Sequence, residues 1–452
     1  MTVAELAWRL RGGELSPVEA VSAALDRIRA LDGELNAFIS VRRDEALWEA
    51  EAVQRGRERG PLWGVPLAVK DVLDVAGSPT TAGSRILADN VAERDSVAVA
   101  RLRRAGAIIV GKTNTHEFAY GPTTTSSHFG RACNPWSLDR VCGGSSGGSG
   151  GAVAARLVPA ALGTDTAGSI RIPAAFCGVT GLRPSTGLVP TRGMVPLSWS
   201  VDTIGPMATT AEDCALLLDV LAARELPSEA GDELSVGVVE ALFEGAEPAV
   251  AAVVRDAVDA LREAGVRTTS VELPHLDRAA VVQQALQFPE ATSIHLEWLR
   301  TRLADYGADV RGRLLAGLFV PATAYVTALR ARGVIAAGFH AAAARFDCLV
   351  APTLPSVAPV FGRSDPLEEN LFRQGLLRCT APWSLVGWPV VSVPCGFADG
   401  LPVGLSLIGR RFRDADALNV AARFQRLTDW HEREPLPQHQ RPAIGSGRSR
   451  AH

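Results

Sequence analysis

The chain has 452 residues, of which 47% are hydrophobic and 21% charged, proportions that argue against a disordered or fibrous protein. Its 46 basic and 49 acidic residues are interspersed and sum to −3, so neither a nucleic-acid stripe nor a polybasic membrane patch is indicated. Seven cysteines without CxxC or Cys/His spacing argue against a disulfide framework and a zinc site. No apolar run reaches the roughly 18 residues of a membrane span, so we expect a cytoplasmic protein that acts on a small molecule.

Apolar periodicity and capping signals predict alternating helices and strands in the first half of the chain. The capping box Ser16–Glu19 predicts a helix with Val21, Leu25 and Ile28 on its inner face. The other predicted elements are a helix from about Arg42 to Arg59, a strand in PLWGVPLAVKDVLDV that ends at Lys70, a helix from Ser96 to Ala105, the strand AIIVG, a loop from Gly143 to Gly151, a helix from Ala152 to Leu157, a strand in PAALGTD that ends near Asp165, and a helix after the turn TAGSIR.

The second half continues the same alternation. The predicted elements are the strand SVGVV, an amphipathic helix from about Pro248 to Ala264, and the strands VRTTSVEL, FDCLVAP, WPVVSVP and VGLSLIG. We therefore expect one large α/β domain over residues 1–438, with a mixed, mostly parallel sheet covered by helices on both faces. A surface connection is expected near 222–234, and the tail 439–452 is expected to be disordered.

The glycine-serine tract GGSSGGSGG allows several interpretations. A flexible linker should join solvated segments, but the apolar AVAARLVPAALG follows at once. A phosphate loop lacks both GxxxxGK[ST] and a strand-borne GxGxxG. The string Gly143–Gly147 matches the nucleophile elbow GxSxG, which would make Ser145 the nucleophile of an α/β-hydrolase-type esterase. That elbow needs a preceding strand, for which RACNPWSLDRVCGG is a poor sequence, and a histidine partner, for which the candidates are His275, His295 and His340.

A fourth interpretation uses several motifs together and covers about residues 4–430. The motifs are WGVPLAVKDVLDV, GKTNTHEFAYG, NPWSLDRVCGGSSGGSGGAVAA, GTDTAGSIRIPAAFCGVTGLRPS and PWSLVGWPVVSVPCGFADGLPVGLSLIG. In this order they resemble the amidase signature family. The resemblance implies a Ser-cisSer-Lys triad, with Ser169 as the nucleophile, Ser145 as a proton relay held by a cis peptide bond, and Lys70 as the general base.

The residues themselves are compatible with that chemistry. A serine hydroxyl needs a base to remove its proton, and a lysine serves only when its pKa lies well below its usual value near 10.4. Lys70 ends the apolar run GVPLAV, where desolvation would lower its pKa, although a snorkelling lysine at a strand end remains an alternative.

The turn before the second serine is a candidate oxyanion hole. It lies between a strand end and a helix start, where successive free N–H groups can face one point. The expected backbone donors belong to Thr166, Ala167, Gly168 and Ser169. A simple helix N-terminus capped by Thr166 or Asp165 is the alternative. Asp165 and Arg171 are expected to brace this turn.

Several other residues carry weaker expectations. Ser146 is expected to support the relay. By the resemblance, Cys142, Ala167 and Ser384 depart from common family residues. Cys142 has no flanking histidine, and His116-Glu117 lacks the second histidine of HExxH, so we expect neither a thiol nucleophile nor a metal.

The resemblance also carries expectations about substrate and partners. It implies that the substrate pocket is lined by Tyr120, Gly121, Thr123, Trp383 and Trp388. The expected reaction is hydrolysis of a small carboxamide without a cofactor, by a chain that forms a homodimer. The alternative within the family is the glutaminase subunit of a tRNA-dependent amidotransferase. The segment YGADVRGRLLAGLFVPATAYVTALRARG resembles free-standing amidases more closely.

Overall fold

A computed structural model of the chain describes residues 1–56, 59–125, 127–228, 231, 233–362 and 366–435. The expected disordered tail, 439–452, lies outside these residues, as do three positions of the expected connection near 222–234. The described part of that connection joins the helix ending at Ala222 to the strand beginning at Ser235, and most of it is exposed.

Helices and strands alternate along most of the chain. The helices are α1 Val3–Gly12, α2 Pro17–Leu35, α3 Arg43–Arg55, α4 Val97–Arg104, α5 Gly147–Ala154, α6 Arg171–Cys177, α7 Ala211–Ala222, α8 Pro248–Glu263, α9 Leu276–Thr301, α10 Ala308–Gly317, α11 Ala322–Ala343, α12 Pro366–Val386 and α13 Asp414–Leu427. The strands are β1 Phe38–Val41, β2 Pro66–Lys70, β3 Ile108–Thr113, β4 Cys133–Asn134, β5 Ser137–Val141, β6 Ala160–Asp165, β7 Thr180–Arg183, β8 Thr203–Ala208, β9 Ser235–Val238, β10 Arg267–Ser270, β11 Cys348–Pro352, β12 Val390–Ala398 and β13 Leu401–Ile408.

Eleven of these strands form one mixed sheet in the order β1-β3-β2-β6-β8-β7-β12-β13-β11-β9-β10. The pairings are parallel in the groups β3-β2-β6 and β11-β9-β10 and antiparallel between them, where β12 and β13 form a long hairpin. The remaining strands, β4 and β5, form a separate two-stranded ribbon. The expected single α/β domain with a mixed sheet is confirmed.

Helices cover both faces of the sheet, and strand β2 shows how its residues divide between them. Leu67 and Val69 belong to the core that includes residues of α1, α4, α7, α8 and α13. Ala68, which points the opposite way, belongs to the core formed with α2, α3, α5 and α6. Lys70 therefore lies on the side of the sheet that carries α5 and α6.

Strand polarity places polar residues together at one edge of the sheet. Because β2, β3 and β6 are parallel, their last residues, Lys70, Thr113 and Asp165, end at the same edge. The antiparallel neighbour β8 begins there, with Thr203 opposite Asp165. In open α/β sheets this carboxyl edge is where ligands usually bind.

Most predicted elements are confirmed within a few residues, and the capping box at Ser16 is present. One boundary is wrong: the helix predicted to begin at Ala152 begins at Gly147, so the second half of the glycine tract is helical. Gly148 explains this, because a Cβ there would lie 2.3 Å from the carbonyl oxygen of Ala37 and 2.4 Å from the amide nitrogen of Asn114. Close backbone packing therefore outweighs the low helix propensity of glycine.

Among the described residues, no single helix has both the length and the apolar character of a membrane span. The bent pair α10 and α11, whose axes meet at 91°, reaches that length and character only when the two helices are taken together.

Candidate active site

Lys70 and Ser145 are in direct contact inside the protein. The Nζ of Lys70 lies 2.7 Å from the Oγ of Ser145 and 2.9 Å from the Oγ1 of Thr164, and all three residues are buried. Burial lowers the pKa of Lys70 to about 7, while the nearby carboxylates of Asp165 and Asp202 partly oppose that shift. An amine with this pKa is largely neutral at slightly alkaline pH and can accept a proton.

The loop that carries Ser145 is held by neighbouring backbone and hydroxyl groups. The Gly144–Ser145 peptide bond is cis. The carbonyl oxygen of Ser145 accepts hydrogen bonds from the N–H of His116 and the Oγ1 of Thr124. The Oγ1 of Thr124 also accepts from the N–H of Gly147 at 3.1 Å. The glycine-serine tract is therefore a fixed part of the core.

Ser146 connects the Ser145 loop to the turn that carries Ser169. Its N–H donates to the carbonyl oxygen of Ser169 at 3.1 Å, and its hydroxyl donates to the carbonyl oxygen of Thr164 at 3.2 Å. Gly144 and Ser169 line the same cavity. The structure thus brings the three residues of the expected triad to one end of the sheet.

The turn before Ser169 is built around the buried carboxylate of Asp165. This carboxylate accepts hydrogen bonds from the N–H groups of Gly168 and Ile170 and from the guanidinium group of Arg171. Burial alone would raise the pKa of Asp165, but the guanidinium groups of Arg171 and Arg183 hold it well below its usual range. Asp165 is therefore ionised and fixes the turn.

One expected oxyanion donor is wrong. The N–H of Gly168 is engaged by the Oδ1 of Asp165 at 2.9 Å, so it cannot serve a substrate without breaking that bond. The role of Gly168 is conformational: its φ is +131°, and a Cβ would lie 2.8 Å from the Oγ1 of Thr380. The remaining expected donors are the N–H groups of Thr166, Ala167 and Ser169.

Three contributors to this site carried no signal in the sequence. Thr164 binds Lys70, Thr124 holds the Ser145 loop, and Asp202 accepts a hydrogen bond from the Oγ1 of Thr166 at 2.6 Å. Burial raises the pKa of Asp202 to about 6. Each residue lies outside the glycine-serine stretch or in an ordinary strand, and only the sheet register brings it close to the others.

The expected substrate pocket is correct on one side and wrong on the other. A cavity of about 40 Å³ beside Ser169 is lined by Ala119, Tyr120, Gly121, Pro122, Gly144, Thr166, Ala167, Ser169, Ile172, Leu197, Gln287, Arg373 and Leu377. Thr123 lines a second, separate cavity. Trp383 and Trp388 line neither: their rings stack with centroids 6.4 Å apart and pack against Phe339 in a buried apolar cluster. Helix α12 turns these indoles into the core because they are large apolar side chains.

The histidine-dependent elbow lacks a base in the described residues. Ser145 contacts Lys70, whereas His295 is buried against Phe118 and contacts the hydroxyl of Tyr306 at 2.9 Å. His275 caps α9 and His340 lies in α11, and neither contacts Ser145. The segment before the loop does form strand β5, but in the small ribbon outside the main sheet.

The residues that depart from the family pattern have packing roles. The hydroxyl of Ser384 accepts a hydrogen bond from Arg171 at 2.8 Å, and the carbonyl oxygen of Ala167 accepts one from Thr380 at 2.5 Å. Cys142 is buried, and burial raises the pKa of its thiol, so it is protonated and unreactive. All seven cysteines are free thiols.

His116 and Glu117 point to different partners. The Nε2 of His116 contacts Asp309 at 2.8 Å, whereas Glu117 accepts hydrogen bonds from Ser84 and from the N–H of Gly307. Among the described residues, no group of three or more His, Cys, Asp or Glu side chains lies close enough to hold a metal ion.

Comparison with known proteins agrees with this geometry. Residues 19–418 match the family model described as Amidase. The chain is 40% identical to a glutamyl-tRNA(Gln) amidotransferase subunit of Roseiflexus castenholzii over 481 aligned residues, which cover 96% of this chain and 97% of the relative. A crystal structure of an amidase superposes with a TM-score of 0.88 at 34% identity, covering 94% of this chain and 99% of the other.

A second solved structure comes from an organism named with it. The native peptide amidase of Stenotrophomonas maltophilia superposes with a TM-score of 0.81 at 33% identity, covering 94% of this chain and 96% of the other. Both the family match and the relatives span nearly the whole chain. This protein therefore belongs to the amidase signature family and is a hydrolase that acts on the carbon–nitrogen bonds of amides.

Proposed function

We propose that the chain hydrolyses a small carboxamide through an acyl-enzyme on Ser169. The observation that carries this proposal is the 2.7 Å contact between the Nζ of Lys70 and the Oγ of Ser145, together with a Lys70 pKa near 7. A base whose pKa lies near the operating pH is well suited to proton transfer.

The proposed steps follow from the order of these groups. The Oγ of Ser169 attacks the amide carbonyl carbon while its proton passes to Ser145, whose own proton passes to Lys70. The N–H groups of Thr166, Ala167 and Ser169 are the proposed donors to the oxyanion. The carbon–nitrogen bond then breaks, and the leaving amine or ammonia takes the proton from Lys70 through Ser145. Water attacks the acyl-enzyme by the same proton route, releases the carboxylic acid and restores Ser169.

The charges around Lys70 support both halves of this cycle. Burial favours the neutral amine that starts the reaction, and the negative charge of Asp165 favours the ammonium that exists between the two proton transfers. Ser169 is only 8% exposed, and its cavity limits the access of water.

A panel of small amides tests the proposal. The wild-type chain should release acid and amine, whereas Ser169→Ala and Lys70→Ala should each lower kcat by several orders of magnitude, because a triad acts as a unit. Arg330→Gln, an exposed residue of α11, is a matched control that should keep wild-type activity. Retained turnover in Lys70→Ala at pH 8 would contradict the proposed base.

A second candidate function is the glutaminase subunit of a tRNA-dependent amidotransferase. It is favoured by the 40% identity to a glutamyl-tRNA(Gln) amidotransferase subunit over 96% of this chain. A purified chain that hydrolyses several amides alone would support the free-standing amidase. A chain that hydrolyses only glutamine and co-purifies with other proteins would support the amidotransferase function.

The assembly and location of the chain are further parts of the proposal. By likeness to the family we propose a homodimer, which light scattering of the purified chain would measure. The seven free cysteines support a reducing, cytoplasmic environment.

A further inference from the structure

The cavity beside Ser169 combines hydrogen-bond donors with a single charged side chain. Among the described residues that line it, Arg373 is the only charged one, and none is a carboxylate. Arg373 is half-buried, and its guanidinium group lies 5.8 Å from the ring centroid of Phe288. The cavity is therefore complementary to a negatively charged group.

Gln287 contributes a second donor because of its neighbour on α9. The Nε2 of Gln283 donates to the Oε1 of Gln287 at 2.8 Å and lies 3.5 Å from the carbonyl oxygen of Thr166. With its carbonyl oxygen engaged in this way, Gln287 retains its amide NH₂ group for the cavity that it lines. This pair also connects the donor side of the cavity to the turn that carries Ser169.

Tyr120 supplies a third donor. Its side chain is 2% exposed, and its hydroxyl has no hydrogen-bond partner among the described residues. Burial raises the pKa of Tyr120, so the hydroxyl is protonated. A buried polar group without a partner is rare in proteins and indicates an absent ligand or water.

We propose that this cavity binds a carboxylate on the acyl part of the substrate, with Arg373 as the ion partner and Gln287 and Tyr120 as hydrogen-bond donors. This inference rests on the proposed function and names its substrate class: monoamides of short dicarboxylic acids. An α-ammonium group on the same chain would find no carboxylate among the described lining residues. Glutamine is therefore a poorer substrate than its analogue without the amino group.

Three amides of equal chain length test the substrate class. Glutaramate carries the carboxylate, valeramide replaces it with a methyl group, and glutamine adds the α-amino group. Because hydrogen bonds to charged groups contribute about 1.5–3 kcal/mol, kcat/KM for glutaramate should exceed that for valeramide by about 10- to 100-fold. It should also exceed that for glutamine. Equal values for glutaramate and valeramide, or a preference for glutamine, would overturn the inference.

Variants of Arg373 test the assigned ion partner. Arg373→Gln should reduce the glutaramate-to-valeramide ratio by about 10-fold or more, and Arg373→Lys, which keeps the charge but loses the planar fork, should reduce it less. The control Arg330→Gln should leave the ratio at the wild-type value. A wild-type ratio in Arg373→Gln would overturn the assignment.

A binding measurement separates this inference from the proposed function. In Ser169→Ala, glutarate should raise the unfolding temperature and valerate should not, because only glutarate carries the second carboxylate. Stabilisation by glutarate without any amide hydrolysis by the wild-type chain would support the carboxylate site and contradict the hydrolytic function. Hydrolysis without a glutaramate preference and without stabilisation by glutarate would contradict the carboxylate site alone.

Discussion

The lysine at the end of β2 combines full burial with two hydroxyl partners. The Nζ of Lys70 contacts Ser145 and Thr164, and its pKa of about 7 in the folded protein lies below the 10.5 of an exposed lysine. Between these two pH values the unfolded chain binds a proton that the folded chain does not. Raising the pH through this window therefore stabilises the folded state.

Lys70→Met tests this coupling between protonation and stability. From pH 7 to pH 10 the unfolding free energy of the wild type should rise relative to that of the variant by up to about 1.4 kcal/mol per pH unit, because methionine has no proton to lose. Urea denaturation of both proteins across this range measures the difference. Parallel pH profiles would show that the pKa of Lys70 is the same in the folded and unfolded chains.

At the residue scale, the sequence predicted which side chains to compare but not all of their partners. Lys70, Ser145 and Ser169 lie in recognisable motifs, and the structure brings them to one edge of the sheet. Thr164 and Asp202 could not be predicted, because their contacts depend on how β6 and β8 pair. The expectation for Gly168 failed because a sequence does not show that the carboxylate of Asp165 engages its N–H.

At the element scale, helix α5 is unusual because four of its eight residues are glycine. Sequence propensity predicted a loop there, and tertiary contacts explain why a helix forms. The N–H of Gly148 donates to the carbonyl oxygen of Asn114 at 3.0 Å, which is possible only because no side chain separates the two backbones. Helix propensity is a weak guide where the backbone packs this closely.

Two glycine-to-alanine substitutions test this explanation. Gly148→Ala should lower the unfolding free energy by about 1–3 kcal/mol, since its Cβ meets backbone atoms that cannot rotate away. Gly333→Ala, in α11 with no atom within 4 Å of its Cβ, should raise it by about 0.5–1 kcal/mol. Thermal or chemical denaturation measures both, and a stabilising Gly148→Ala would contradict the packing account.

At the scale of the whole molecule, the sheet passes through both halves of the chain. Strand β7, before the connection near 222–234, pairs with β12, after it, and Val390, Val391 and Ser392 lie opposite residues of β7. The sequence predicted the number and order of most strands but not this pairing, because pairing across about 200 residues leaves no local pattern.

This continuity predicts that the two halves unfold together. Tryptophan fluorescence, which follows Trp63 in the first half and Trp383 in the second, should give the same transition as circular dichroism. Two separated transitions would instead indicate that the connection near 222–234 divides independent domains, contrary to the proposed single domain over 1–438.

The central claim, that neutral Lys70 activates Ser169 through Ser145, is tested most directly by the pH dependence of covalent labelling. A fluorophosphonate should attach to the peptide that contains Ser169, and the labelling rate should rise with pH around an apparent pKa near 7 and then become constant. The rate should fall by several orders of magnitude in Lys70→Ala and in Ser145→Ala. Attachment to Ser145, or a rate in Lys70→Ala equal to the wild-type rate, would contradict the account.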